Sequence, residues 1–178
     1  QKVMERIILL TRYSIFVAQL ALDKLSFAPR DDYPISSTTA IIETADLNGD
    51  NIPDLAVQNG ATLLIYLGTG SGTFSAGQQI ALWGLVVGFV MLDFNGDNNL
   101  DIAAANNSTN DVSVMIGTGT GIFGPPQTYT VGLGGQRMVA GDFNGDSFGD
   151  LAVTVFSNTV QILLGTGLGT FSPAVGYP

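Results

Sequence analysis

Short runs of apolar and β-branched residues, separated by clusters of Gly, Asn, Asp and Pro, recur along residues 41–178. Such runs predict β-strands bounded by tight turns. Each of three acidic segments is preceded by a predicted strand, at 41–45, 89–92 and 138–141, and followed by another, at 55–58, 102–105 and 151–154. A short turn then leads to a third predicted strand in each unit, at 62–67, 111–116 and 159–164. A fourth strand is predicted after each glycine-rich turn, as at 127–131, which gives an all-β chain of four-stranded units.

These units repeat with a period close to 48 residues. Phe27, Phe74, Phe123 and Phe171 lie 47, 49 and 48 residues apart, and each of the last three closes a Gly-x-Gly-x-Gly-x-Phe segment. A period of that length indicates a repeat architecture in which one unit cannot bury its own face alone. The repeat divides the chain into a hydrophobic segment at 1–26, three units at 27–73, 74–122 and 123–170, and a stub at 171–178.

One nine-residue acidic loop lies in each unit, with Asp at positions 1, 5 and 9 and Asn at position 3. Alternating oxygen donors predict a hard cation, most simply calcium, and the variable position 7 fits a main-chain carbonyl ligand. The competing interpretation is that Asp, Asn and Gly merely form turns. Three carboxylates in each loop would then repel one another without compensation. The predicted ligands of about three Ca²⁺ ions are Asp46, Asn48, Asp50, Ile52 and Asp54; Asp93, Asn95, Asp97, Asn99 and Asp101; and Asp142, Asn144, Asp146, Phe148 and Asp150.

Composition narrows the function classes. Nine of the fifteen acidic residues lie in the three loops, so three divalent ions would reduce the formal net charge of −9 to −3. Residues 31–178 carry thirteen acidic residues and one basic residue, which argues against nucleic-acid binding. The glycine-rich turns contain no Lys and open no predicted helix, so nucleotide binding is not expected. The sequence has neither Cys nor His, which excludes thiolate sites and Ser-His-Asp catalysis.

The motifs of residues 27–178 resemble the FG-GAP or VCBS-type repeat family, in which Asp-Phe-Asn-Gly-Asp is followed by Asp-Leu-Ala-Val and a Gly-x-Gly-x-Gly-x-Phe turn. The resemblance implies blades of a calcium-binding β-propeller, as in integrin α-subunit heads, and an extracellular or cell-surface location. Pro53 and residues 83–88 depart from the pattern. Propellers close with roughly four to eight blades. Three units and a stub therefore predict edges completed by other copies or by a longer repeat array.

Residues 1–26 fall outside the repeat. Their apolar stretch 7–22 is interrupted by Arg12 and is shorter than the ~20 residues that span a bilayer. Three hypotheses stay open for the segment: a signal-like sequence, an assembly helix, or a strand from 15–26 that completes a first blade. The assembly helix is faintly similar to type IV pilins, because Glu5 occupies the position of their characteristic glutamate.

The sequence as a whole predicts a non-enzymatic calcium-binding module of an extracellular structural or adhesive assembly. Its expected partners are other copies of itself, and surface proteins or glycans. One alternative is a filament subunit packed through the N-terminal helix. A second is a carbohydrate-processing enzyme, for which Asp31, Asp32, Glu43 and Asp111 are the carboxylates of residues 31–178 that lie outside the loops. Asn106 and Asn107 each begin a glycosylation sequon.

Overall fold

The computed structural model describes residues 31–36, 41–134 and 137–178. The chain divides into two units, Gln1–Pro34 and Ile35–Pro178. The described residues of the first unit, 31–34, carry no regular secondary structure. The hypotheses about 1–26 and the anchor Phe27 lie outside the described residues. Everything below concerns the second unit.

The described part of the second unit consists of three antiparallel sheets of four strands, each strand pairing with the next in sequence. The first sheet contains β1 (Ile42–Ala45), β2 (Asp54–Asn59), β3 (Thr62–Gly68) and β4 (Phe74–Ala81). The second contains β5 (Val86–Leu92), β6 (Asp101–Asn106), β7 (Asp111–Met115) and β8 (Gln127–Thr130). The third contains β9 (Met138–Gly141), β10 (Asp150–Val155), β11 (Thr159–Leu163) and β12 (Val175–Tyr177). The prediction of all-β, four-stranded repeat units is confirmed.

The sheets do not coincide with the repeat units whose boundaries the sequence places at the phenylalanines. The boundary at Phe74 falls between β3 and β4, which pair with each other, and Phe123 likewise lies between β7 and β8. Residues 171–178 include β12, which pairs with β11 and forms the fourth strand of the third sheet. A cyclic sequence pattern has no intrinsic starting point, and only the hydrogen bonds between strands define where a sheet begins.

The core consists of two apolar clusters, one on each side of the second sheet. In β6, Ile102 and Ala104 belong to the first cluster, whereas Ala103 and Ala105 belong to the second. This alternation follows from the two-residue period of a strand. Every residue of β6 is buried. The three sheets are therefore stacked face to face, and the small side chains of β6 allow both neighbours to approach closely.

The second and third glycine-rich turns also contact the preceding repeat. The Gly121 N–H donates to the carbonyl of Leu47 at 2.8 Å, and the Gly169 N–H donates to the carbonyl of Phe94 at 3.0 Å. Phe94 in turn packs edge-on against Phe171, with ring centroids 5.3 Å apart. Successive repeats are thus joined by hydrogen bonds as well as by their apolar faces. No helix among the described residues is long and apolar enough to cross a membrane.

Candidate metal-binding loops

Each acidic loop connects the first strand of a sheet to the second. The loops wind tightly because positions 4 and 6 adopt positive φ, as at Gly49 (77°) and Asn51 (63°). Gly has no Cβ to clash there, and Asn tolerates the left-handed region better than most residues. The same two positions have positive φ in the other loops, at Gly96 and Asn98 and at Gly145 and Ser147.

The position 1 carboxylate lies at the centre of each loop and accepts several backbone hydrogen bonds. One oxygen of Asp46 accepts from the N–H of Gly49 at 2.7 Å, and the other accepts from the N–H of Asn51 at 2.8 Å. Asp93 and Asp142 accept the equivalent bonds at 2.6 to 2.9 Å. The N–H of position 6 is the main cause of the lowered pKa of Asp46 and Asp142, because hydrogen bonds to the charged form favour it.

Positions 3 and 5 lie side by side. The Asn48 amide donates to Asp50 at 3.0 Å, and the Asp50 N–H donates back to Asn48 Oδ1 at 3.0 Å. The other two loops repeat this pair, as Asn95 with Asp97 and Asn144 with Asp146. The amide of Asn95 is the main cause of the lowered pKa of Asp97.

Position 7 contacts position 5 through the main chain. The N–H groups of Ile52, Asn99 and Phe148 donate to the position 5 carboxylates at 2.7 to 2.9 Å. Positions 1, 3, 5 and 7 are therefore close to one another in all three loops.

Position 9 has a role that sequence reasoning missed. Asp54, Asp101 and Asp150 are fully buried. In Asp101, one oxygen accepts from the N–H of Phe94 at 2.9 Å and the other from the N–H of Gly117 at 2.8 Å. Asp54 and Asp150 make the same pair of bonds. This carboxylate therefore joins the start of the metal loop to the glycine-rich turn of the same repeat.

The first glycine of each Gly-x-Gly-x-Gly run is required by that junction. A Cβ on Gly117 would overlap the carbonyl oxygen of Leu100, the residue before the buried aspartate. A Cβ on Gly68 or Gly165 would likewise overlap the carbonyl oxygen of position 8 in its own loop. This junction could have been recognised in the sequence, because the glycine recurs 14 to 16 residues after the last aspartate of each loop.

The loop donors fit a hard cation in chemical type, since all are carboxylate, amide or carbonyl oxygens. The pKa of Asp101 is raised, first by burial and further by the charges of Asp97 and Asp93, so the three carboxylates of one loop influence one another. Within the described residues, however, no three acidic side chains are arranged as a ready metal-binding group. Positions 1, 3, 5, 7 and 9 stay the predicted ligands, and the carboxylates at positions 1 and 9 both accept backbone hydrogen bonds, as Asp46 and Asp101 show.

The comparisons with known proteins agree with this repeat. Residues 93–153 match the family model of the FG-GAP-like repeat. The matched segment runs from the second loop through the third loop into β10, and this confirms an FG-GAP-like repeat over these residues. A solved structure of an Agrocybe aegerita lectin, described as recognising non-reducing terminal N-acetylglucosamine, is similar in fold, with a TM-score of 0.53 and 20% identity. The match covers 77% of this chain and 37% of the lectin chain. No curated protein matches the chain.

Within the FG-GAP-like repeat, the two glycosylation candidates differ in accessibility. The Asn106 side chain is fully buried, and its Nδ2 atom donates to Asp111 and to Ser113 Oγ at 2.6 and 2.8 Å. That atom would carry a glycan, so the sequon at Asn106 is inaccessible in the folded chain. Asn107 is only partly buried.

Glu43 and Asp111, two of the carboxylates suggested for an enzyme, lie in different sheets. Glu43 lies in β1 of the first sheet, and Asp111 lies in β7 of the second, where it accepts the Asn106 amide. Glu43 borders a groove of about 450 Å³ along β1, β5 and β9 and is the only acidic residue among its described lining residues. A pair of carboxylates, as glycoside hydrolysis requires, does not form in this groove.

Proposed function

We propose that the chain is a non-enzymatic, calcium-stabilised β-repeat module of an extracellular structural or adhesive assembly. The observation that carries the proposal is the threefold recurrence of one loop geometry. In each copy, an aspartate at position 1 is surrounded by N–H groups, with the oxygen-bearing side chains of positions 3 and 5 paired beside it.

Calcium binding to these loops would act on stability through mass action. A ligand that binds only the folded state stabilises it by about 2.7 kcal/mol per site when its concentration is one hundred times Kd. Each ion would also offset the repulsion among the acidic residues of a loop. Loops with affinities typical of extracellular modules fill where calcium is millimolar, and this supports the extracellular location.

The experiment is thermal unfolding of the purified chain in calcium and in excess chelator, with calorimetric titration to count the ions. We expect a higher midpoint in calcium and a stoichiometry near three. A variant with Asp50→Ala, Asp97→Ala and Asp146→Ala removes one exposed carboxylate from each loop and should lose most of the calcium-dependent shift. An identical midpoint in calcium and chelator would contradict the proposal. Magnesium at the same ionic strength controls for screening of surface charge.

The partners belong to the same proposal. The expected classes are other copies of the chain, surface proteins and glycans. The likeness to the lectin concerns the fold alone, so glycan binding needs its own measurement, for example on an array with the calcium-loaded chain. The filament alternative depends on residues 1–26, and electron micrographs of the chain with and without that segment would test it.

A further inference from the structure

Four Asn-Gly pairs occur in the chain, and the structure separates one of them from the other three. This dipeptide is chemically labile, because Gly has no Cβ and leaves its own backbone nitrogen open to attack the amide carbon of the preceding side chain. One pair lies in each acidic loop, and the fourth lies in the hairpin between β2 and β3. The pairs are Asn48-Gly49, Asn95-Gly96, Asn144-Gly145 and Asn59-Gly60.

In the three loops, both reacting groups are held by hydrogen bonds. The Gly49 N–H donates to Asp46 Oδ1 at 2.7 Å, and the glycines of the other two loops make the same bond to position 1 at 2.7 and 2.6 Å. The Asn48 side chain is fixed at its far end, because its amide donates to Asp50. The same amide bond recurs in the other loops. The glycine nitrogen must therefore leave a charged acceptor before it can react.

The hairpin pair has its nucleophile exposed instead. Gly60 takes the first central position of the two-residue turn between Asn59 and Thr62, with φ of 66°. Its N–H donates to no described residue, and no described atom lies within 4 Å of its Cβ position. Asn59 and Gly60 are both partly exposed, so water reaches the pair.

The amide carbon of Asn59 is also activated by its neighbours. The backbone N–H and the hydroxyl of Ser36 both donate to Asn59 Oδ1, at 2.9 and 3.0 Å. In the loops the same oxygen receives one described donor, the N–H of position 5. Two donors aimed at one carbonyl oxygen stabilise the negative charge that develops there when a nucleophile adds, as in an oxyanion hole. All of these groups lie within the first repeat of the chain itself.

We propose that Asn59 is a modification site at which the folded chain deamidates spontaneously. The Gly60 nitrogen loses its proton to solvent and bonds to the Asn59 side-chain carbon, and the Asn59 amide nitrogen leaves as ammonia. The product is a cyclic imide. Water then opens the imide at either carbonyl, which leaves aspartate or isoaspartate at position 59. The reaction requires water alone and no calcium, so the site is independent of the proposed function.

The modification would act on the junction between the first and second sheets. The Gly60 carbonyl accepts the N–H of Val86 at 3.3 Å, and the Ala61 carbonyl accepts the N–H of Leu82 at 2.8 Å. Isoaspartate adds a methylene group to the main chain directly before these acceptors. We therefore expect the modified chain to melt at a lower temperature than the unmodified chain.

The test is incubation of the purified chain at mildly alkaline pH in chelator, followed by peptide mapping with mass spectrometry. An isoaspartyl methyltransferase identifies the isoaspartate product. We expect Asn59 to react at least about tenfold faster than the three loop asparagines, because each loop glycine must first break a bond to a charged group. In guanidinium chloride the four rates should become similar. A folded chain in which the loop asparagines react as fast as Asn59 would overturn the proposal.

Two variants test the causes separately. Ser36→Ala removes the hydroxyl donor from an exposed residue and should slow Asn59 severalfold without changing the loop sites. An unchanged Asn59 rate would refute activation by Ser36. Asp46→Ala frees the Gly49 N–H and should accelerate Asn48, with the asparagines of the other two loops as controls in the same molecule. A slower reaction at Asn48 would show that the carboxylate assists the attack, against the protection argued above. Repeating the incubation in calcium should leave the Asn59 rate unchanged, so this site and the calcium proposal stand or fall separately.

Discussion

Replacement of the buried aspartate of the second loop provides the sharpest test of the structure. Asp101→Ala removes the acceptor of two buried N–H groups, those of Phe94 and Gly117. A buried donor left without a partner costs about 1–3 kcal/mol. Two such donors therefore cost about 2–6 kcal/mol. Part of this loss is offset, because the substitution also removes a carboxylate whose pKa is raised by burial. We expect a net loss of about 3 kcal/mol, a large share of the 5–15 kcal/mol typical of folded domains.

The assay is urea unfolding followed by circular dichroism in excess chelator, so that a metal ion cannot contribute. The matched control is Asp97→Ala, which removes an exposed carboxylate from the same loop and should cost less than about 1 kcal/mol without metal. Asp101→Asn retains one acceptor oxygen and should fall between the two. If Asp101→Ala and Asp97→Ala are equally mild in chelator, position 9 does not join the loop to the glycine turn, and the reasoning is refuted.

Two pairs of substitutions test the packing within and between repeats by thermal melting. Gly117→Ala should destabilise by several kcal/mol, because its Cβ would overlap the Leu100 carbonyl oxygen. Gly124→Ala meets its nearest described atom at an ordinary 3.6 Å and should cost under about 1 kcal/mol. Phe94→Ala should cost about 3–5 kcal/mol, as is usual for a buried aromatic residue, whereas Phe143→Ala, half exposed, should cost less than half as much. Equal losses within either pair would contradict the packing described.

The local structure could be predicted from the sequence because each strand and turn is encoded by neighbouring residues. The acidic loop, the β-branched runs on both sides and the glycine turn place ten of the twelve strands to within a few residues. The position in the repeat at which each sheet begins could not be predicted, since a periodic sequence pattern does not show that β3 pairs with β4 across Phe74. Asp54 and its counterparts were read only as metal ligands, because burial and backbone partners depend on how distant turns fold together.

The position of Asn106 illustrates the same limit. Its sequon is a local pattern, whereas its burial depends on how the chain folds around it. The donation of its amide to Asp111 and Ser113 also requires the register of β6 with β7. Its Oδ1 atom has no described hydrogen-bond partner, and nothing in the structure explains it.

The backward hydrogen bonds from Gly121 to Leu47 and from Gly169 to Phe94 limit how this gene can change length. Both of these glycine turns must meet the loop of the repeat before them, so an insertion of a few residues within a unit would separate groups that belong together. Duplication of a complete unit of about 48 residues would instead present each new turn with a loop of the right form. Arrays built in this way would lengthen or shorten by whole repeats, with every junction a copy of the one between Phe94 and Gly169.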